Sequence, residues 1–160
     1  MSFSDKTTPW VITNKVYISN WNSTQYVHSR TEAKEVEITA GVTVENGAKL
    51  SGSAGILSLE GHYDITVAAS GSVTGSTSVT DTVTAAPWSF VVGYEAAHKV
   101  KALYTETICN ASMTGWDFLS SGYVASWTTS GPGVVNCPKS KHYMAPPAGT
   151  ASAAALKYCT

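Results

Sequence analysis

Cys137 and His142 stand five residues apart, and a thiolate beside an imidazole is what a cysteine nucleophile needs. No third residue stands near them to orient the ring, and a disulfide or a buried thiol accounts for Cys137 without any chemistry. Glu35 and Glu37 fall on one face of a strand. Glycoside hydrolysis needs two carboxylates opposed across a cleft, so this pair reads as a solvated edge. His28, His62, His98 and His142 are scattered without the spacing of a metal-ligand set, and there is no CxxC. A nucleophile elbow GxSxG, a phosphate-binding Walker loop and a GxGxxG turn are all missing. The expectation is a protein that is not an enzyme, with no cofactor and no metal.

The elements that would position any site are extended. In residues 63–86, YDITVAASGSVTGSTSVTDTVTAA, the odd positions include Tyr63, Ile65, Val67, Val73, Val79 and Val83, and the even positions are mostly Ser and Thr. Side chains of a strand alternate between faces, so this period of two predicts either one very long strand or one that folds back near Gly71 to Gly75. Before it lies the sequence AKLSGSAGILSLEG, which loses the period and gathers Leu50, Ile56, Leu57 and Leu59 among glycines and serines. These four residues either cap the core or form a tucked hairpin able to unroll into a bilayer. Hydrocarbon admits strands only as a closed barrel, because every backbone N–H and C=O must be paired there. One hairpin per subunit cannot close a barrel, so the second alternative demands a homo-oligomer.

In chain order, Trp10, Ile12, Val16 and Ile18 alternate with polar residues and predict a first strand ending at Asn20-Trp21-Asn22-Ser23. Ser29-Arg30-Thr31-Glu32 has capping-box spacing, yet the clean alternation around it favours a strand. Val36, Ile38, Ala40, Val42 and Val44 then share one face, up to the turn signal Asn46-Gly47. Ala85-Ala86-Pro87 interrupts the ladder. Phe90, Val92 and Tyr94 open another strand, a polar loop is expected over 95–99, and Val100 to Ile108 resume the alternation. After Trp127 the chain reads as loop through Gly131-Pro132-Gly133, and 151–156 as a short helical turn.

Composition narrows the class further. Charged residues are 13% of 160, the net charge is −1, and 20 serines and 20 threonines supply polarity instead. With no basic stripe, nucleic acid is not an expected partner. No apolar run reaches the ~18 residues of a membrane-spanning helix. The amino terminus lacks the basic and apolar regions of a signal peptide, which leaves a leaderless product and a mature chain equally open. Cys109, Cys137 and Cys159 allow at most one intramolecular disulfide, with the pairing undetermined. Asn22-Ser23-Thr24 and Asn110-Ala111-Ser112 match the glycosylation sequon, a match that chance supplies easily in a chain so rich in Ser and Thr.

These readings define an all-β fold: an elongated antiparallel β-sandwich or twisted sheet of long Ser/Thr-rich strands, with a tucked amphipathic hairpin. Its segments follow one another as ITNKVYISNWNSTQY, RTEAKEVEITAGVTV, GAKLSGSAGILSLEG, ITVAASGSVTGSTSVTDTVT and PWSFVVGYEAAHKVKALYTET. That order resembles the pore-forming module of the aerolysin-like toxins, the epsilon-toxin and mosquitocidal-toxin branch in particular, over roughly 11–115 of a single domain. The resemblance implies a secreted protein that binds a cell-surface receptor, oligomerises, and inserts residues 47–61 with Leu50, Ile56, Leu57 and Leu59 toward lipid. The aromatic, loop-rich region 116–160, with Trp116, Tyr123 and Trp127, is left to meet a receptor or glycan. Replacing both Ile56 and Leu57 by Asp is then expected to spare folding and abolish leakage. The competing expectations are a small β-sandwich lectin or adhesion module and a structural assembly protein.

Overall fold

A computed structural model describes residues 1–34, 38–47, 52–63, 72–73 and 78–160. The fold is all-β and antiparallel: β1 (Ser2–Thr7), β2 (Trp10–Asn20), β3 (Tyr26–Lys34), β4 (Ile38–Thr39), β5 (Gly41–Gly47), β6 (Ser72–Val73), β7 (Ser78–Ala85), β8 (Ser89–Cys109) and β9 (Trp116–Asn136). Two helices accompany them, α1 (Gly52–Tyr63) and α2 (Ala151–Ala155), the latter followed by a 3₁₀ turn at Leu156–Tyr158. β4 and β6 form a pair of their own.

The chain folds into two compact units. The first takes Met1–Thr8, Thr39–Ser72 and Lys99–Thr129; the second takes Pro9–Ile38, Val73–His98 and Ser130–Thr160. β8 and β9, at 21 residues each, contribute to both.

In the first unit the strands run in the order β5–β9–β8–β1, with Gly41↔Ala125 to Gly47↔Ser120 in register on one side and Ser2↔Thr105 to Thr7↔Lys101 on the other. Its core is Val100, Ala102, Tyr104 and Val124 from β8 and β9, roofed by Ile56 and Leu59 of α1. Gly47 closes β5 at φ +89°, a conformation that suits a residue without Cβ, and the backbone of Leu119 and Ser120 passes where that Cβ would stand.

The second unit orders its strands β9–β8–β2–β3–β7. A register shift between Ile12 and Asn14, opposite Ala96 and Glu95, divides β2. The extra residue of a bulge re-aims every side chain beyond it. Ile12 therefore packs with Val92, Tyr94, Ala96, Val135 and Ala155, whereas Val16 and Ile18 join a separate cluster with Val83, Ala85 and Val91. The alternation from Trp10 to Ile18 is real, but it serves two cores and not one. Tyr94 lies across Gly133, whose missing side chain makes room for the ring, and Tyr94 Oη reaches Ser152 Oγ at 2.8 Å. A disulfide joins Cys137 to Cys159 across a separation of 22 residues, leaving Cys109 as an exposed thiol.

Four expectations are corrected. Residues 95–99 are not a loop; they pair with β2 from Trp10↔His98 to Asn14↔Glu95, and the bulge absorbs the break in their pattern. Gly131-Pro132-Gly133 is inside β9, which pairs only with β8 in the second unit, so Pro132 needs no ladder donor on its outer side. The polar leader contains a strand, β1. Where a tucked hairpin was expected, residues 52–63 are helical as α1, because Ile56 and Leu59 reach the same core from one helical turn. Of the turnaround near Gly71 to Gly75 only Ser72–Val73 is described, as β6, and Val36 and the pair Glu35 and Glu37 lie outside the described residues. The capping-box stretch is strand in β3, and the short carboxy-terminal helix forms as α2.

Candidate functional site

The candidate inserting residues do not share one environment. Ile56 and Leu59 are buried in the first unit's core, Leu57 is 60% exposed, and Leu50 lies outside the described residues. Burying two such side chains stabilises the docked helix by roughly 1.5–3 kcal/mol each. At its carboxy end α1 meets β1: the Phe3 ring lies 5.2 Å from His62 and 6.1 Å from Tyr63, and Lys6 Nζ sits 4.4 Å above the Tyr63 ring. No covalent tie among the described residues holds α1 to the sheet; the disulfide lies in the second unit. With Ile56 buried, an Asp there would strand a charge in the core, so the double Asp variant expected to fold normally would instead destabilise the first unit.

β5, before α1, and β7, which follows α1 and the short β6, are edge strands. β5 borders the first unit's sheet and pairs only with β9; β7 borders the second unit's sheet and pairs with β3 from Tyr26↔Ala85 to Ala33↔Ser78. The inner ladders β8–β9 and β2–β8 do not run through the chain between them. On β5 the alternation is visible in burial, with Val42 and Val44 half-buried and Thr43 and Glu45 exposed.

The aromatic candidates are not one surface. Trp116 is 71% exposed. Tyr123 is half-buried with Lys101 Nζ 3.8 Å above its ring, and Trp127 is half-buried with Nε1 enclosed and without a hydrogen-bond partner. The company that Trp116 keeps was not apparent from the sequence. Ile108, Met113 (88% exposed), Phe118 and Leu119 are exposed with it around the turn that joins β8 to β9. Asn110 ties that turn: its Oδ1 accepts from Ser112 Oγ, Thr114 N and Gly115 N at 3.1, 3.0 and 3.3 Å. A reading of 108–118 as a hairpin would have found the cluster, since Asn and Gly flank a short polar turn there.

The Cys137–Cys159 bond removes any thiol dyad with His142. Among the described residues no three His, Cys, Asp or Glu side chains gather as a metal site, and no helix is long and apolar enough to cross a membrane. His98 stacks on Trp10 at 4.6 Å, and His28 lies 3.0 Å from Tyr26 Oη through Nδ1.

Fold and site together define an antiparallel all-β protein in which the helix α1 packs over the sheet of one of its two units. No protein-family model matches the chain, and no curated protein or solved structure does either.

Proposed function

We propose that this protein acts on membranes without catalysis: it binds a cell surface, oligomerises, and turns residues 40–67 into a β-hairpin that completes a transmembrane barrel. One observation carries the reading. The second half of α1 also fits a strand. From Leu57 onward Leu57, Leu59, Gly61, Tyr63, Ile65 and Val67 alternate with Ser58, Glu60, His62, Asp64 and Thr66, although 52–56 do not alternate and His62 and Asp64 stand between this run and the Ser/Thr ladder.

On the other arm Ala40, Val42, Val44, Ala48 and Leu50 fall on one parity, interrupted by Asn46, against Gly41, Thr43, Glu45, Gly47 and Lys49. Each arm supplies about 11 residues, the length a tilted barrel strand needs. Glycines at 52 and 55 fall between the arms. A local preference that conflicts with the fold it occupies is a mark of an element with a second destination. Release of α1 would require its apolar roof, its ring contacts with β1 and an edge strand to let go, leaving the inner ladders paired. Several copies must assemble, because one hairpin leaves both edges open in hydrocarbon.

Leu57 gives the clean test, since it is exposed in the folded protein and falls on the apolar face of the proposed strand. Leu57→Arg is expected to fold with unchanged thermal stability and to lose dye release from vesicles or cells. A charge on the lipid face costs about 2–4 kcal/mol per strand at the bilayer midplane. Wild-type protein is expected to give detergent-resistant oligomers on the same membranes. Undiminished leakage by Leu57→Arg, or no leakage by wild type on any membrane tried, would sink the proposal.

A further inference from the structure

We propose that the second unit carries a sugar-binding site in the cleft between β2 and β3, suited to a pyranose ring, with Trp21 two residues beyond its Ser19 and Trp88 beside Ser89, the register partner of Asn20. The site does not depend on any movement of α1. It arises because β2 and β3 are in register at Asn14↔Lys34 and Lys15↔Ala33, while the other edge of β3 pairs with β7 from Tyr26↔Ala85 to Ala33↔Ser78. The strands part, and a cleft of ≈ 170 Å³ opens between them, lined by Tyr17, Ile18, Ser19, Tyr26 and His28. That is below the ~300–1,000 Å³ of pockets for larger organic ligands, and it suits a single ring.

Two tryptophans leave the sheet together at this end. Asn20 is in register with Ser89, so Trp21 and Trp88 occupy the next position on each strand, 49% and 46% exposed. Trp88 has φ +56°, a left-handed conformation unfavourable for a bulky residue, which persists only where the surroundings impose it. Here they do. Asn20 Nδ2 donates to the carbonyls of Thr24, Ala85 and Ala86 at 2.9, 3.0 and 3.0 Å. Ser89 Oγ donates to Ala86 O at 2.6 Å, and Lys141 N to Trp88 O at 3.0 Å. The fold fixes in place a large aromatic ring that its own core does not use.

The chemistry favours a sugar over a bilayer. A pyranose offers C–H faces to aromatic rings and hydroxyls at its rim, and rings with a polar tip serve both. The cleft supplies tyrosine rings, the Ser19 hydroxyl and the Tyr26–His28 pair, and the adjoining loop supplies Asn22, Ser23 and Thr24. Among the described residues no carboxylate lines the cleft, and the Lys15 ammonium stands 5.7 Å from the Tyr17 ring centroid, which favours a polyhydroxylated ligand over a cation. Burial in hydrocarbon would strip all these polar groups of partners.

The test is direct binding by the monomer, through titration calorimetry with methyl pyranosides and an array of neutral and sialylated glycans. Wild type is expected to bind a subset of them. Trp21→Ala and Trp88→Ala are each expected to weaken binding roughly tenfold. Trp88→Gly is the decisive variant, since relief of the left-handed residue should raise the unfolding temperature while binding falls as in Trp88→Ala. Three outcomes would overturn the site: no glycan bound by wild type, affinity retained in both Ala variants, or loss confined to Trp116→Ala. So would sugar-free phosphatidylcholine vesicles that bind wild type and not the Trp variants, since a bilayer would then be the ligand. None of these outcomes bears on leakage by Leu57→Arg.

Discussion

Each unit of this protein roofs its sheet with a short helix, and the two roofs are attached by different means. α2 in the second unit is fastened by the Cys137–Cys159 bond, capped by Thr150, whose Oγ1 accepts from Ala153 N at 3.2 Å, and linked through Ser152 to Tyr94. α1 in the first unit rests on Ile56 and Leu59, with rings from β1 at its end. One roof has a covalent staple; the other is packed through Ile56 and Leu59 and the rings it shares with β1, with no disulfide holding it among the described residues. The sequence pattern agrees, since 151–156 is Ala-rich and helical by composition, whereas 57–63 alternates as a strand does.

The contrast can be broken by measurement. Leu59→Ala should have the largest effect, destabilising the first unit by about 2–5 kcal/mol through the cavity it leaves, with hydrogen exchange in α1 accelerating. If α1 amides are already better protected than those of α2 in wild type, the contrast is reversed. Removing the disulfide by Cys137→Ala with Cys159→Ala should cost about 3 kcal/mol for a closed loop of 22 residues, read by urea unfolding, with α1 exchange unaffected. Thr150→Ala should be the mildest, costing about 1 kcal/mol through loss of the amino-terminal cap and confined to α2 exchange.

A second contrast separates the exposed aromatic groups. Exposed with Trp116 near the β8–β9 turn are Ile108, Met113, Phe118 and Leu119, aliphatic, aromatic and sulfur-bearing; the chain beside Trp21 and Trp88 carries Asn20, Asn22, Ser23 and Ser89, amides and hydroxyls. The first set has the composition of a surface that meets apolar matter, and the second that of one that meets solvated rings.

Much of the fold was legible because the period of two marks a strand whatever surrounds it. β2, β3 and β7 fall where alternation places them, whereas the strand expected up to Val44 is divided into β4 and β5, the latter running through Asn46 and Gly47, and β8 continues across 95–99. The failures have particular physical causes. Residues 95–99 look like a loop because a bulge on the partner strand offsets their pattern. Gly131-Pro132-Gly133 looks like a turn because sequence does not say that β9 has a free outer side there. α1 was misread because its helical state comes from the core above which it lies, and local preference gives no hint of it. The tryptophans at 21 and 88 passed unremarked in turn-rich stretches; their significance lies in the Asn20–Ser89 register and in a backbone angle, neither of which is written in residue type.

Pro132 has a consequence for assembly. Strands recruit further copies through unpaired amide hydrogens, and a border bearing an imino acid flanked by two glycines makes a poor template. In the second unit that border is β9, so subunits of a ring would join along some other margin. Pro132→Val should make the isolated protein more prone to form thioflavin-positive fibrils, and a variant as soluble as wild type would show that the border is guarded by something else.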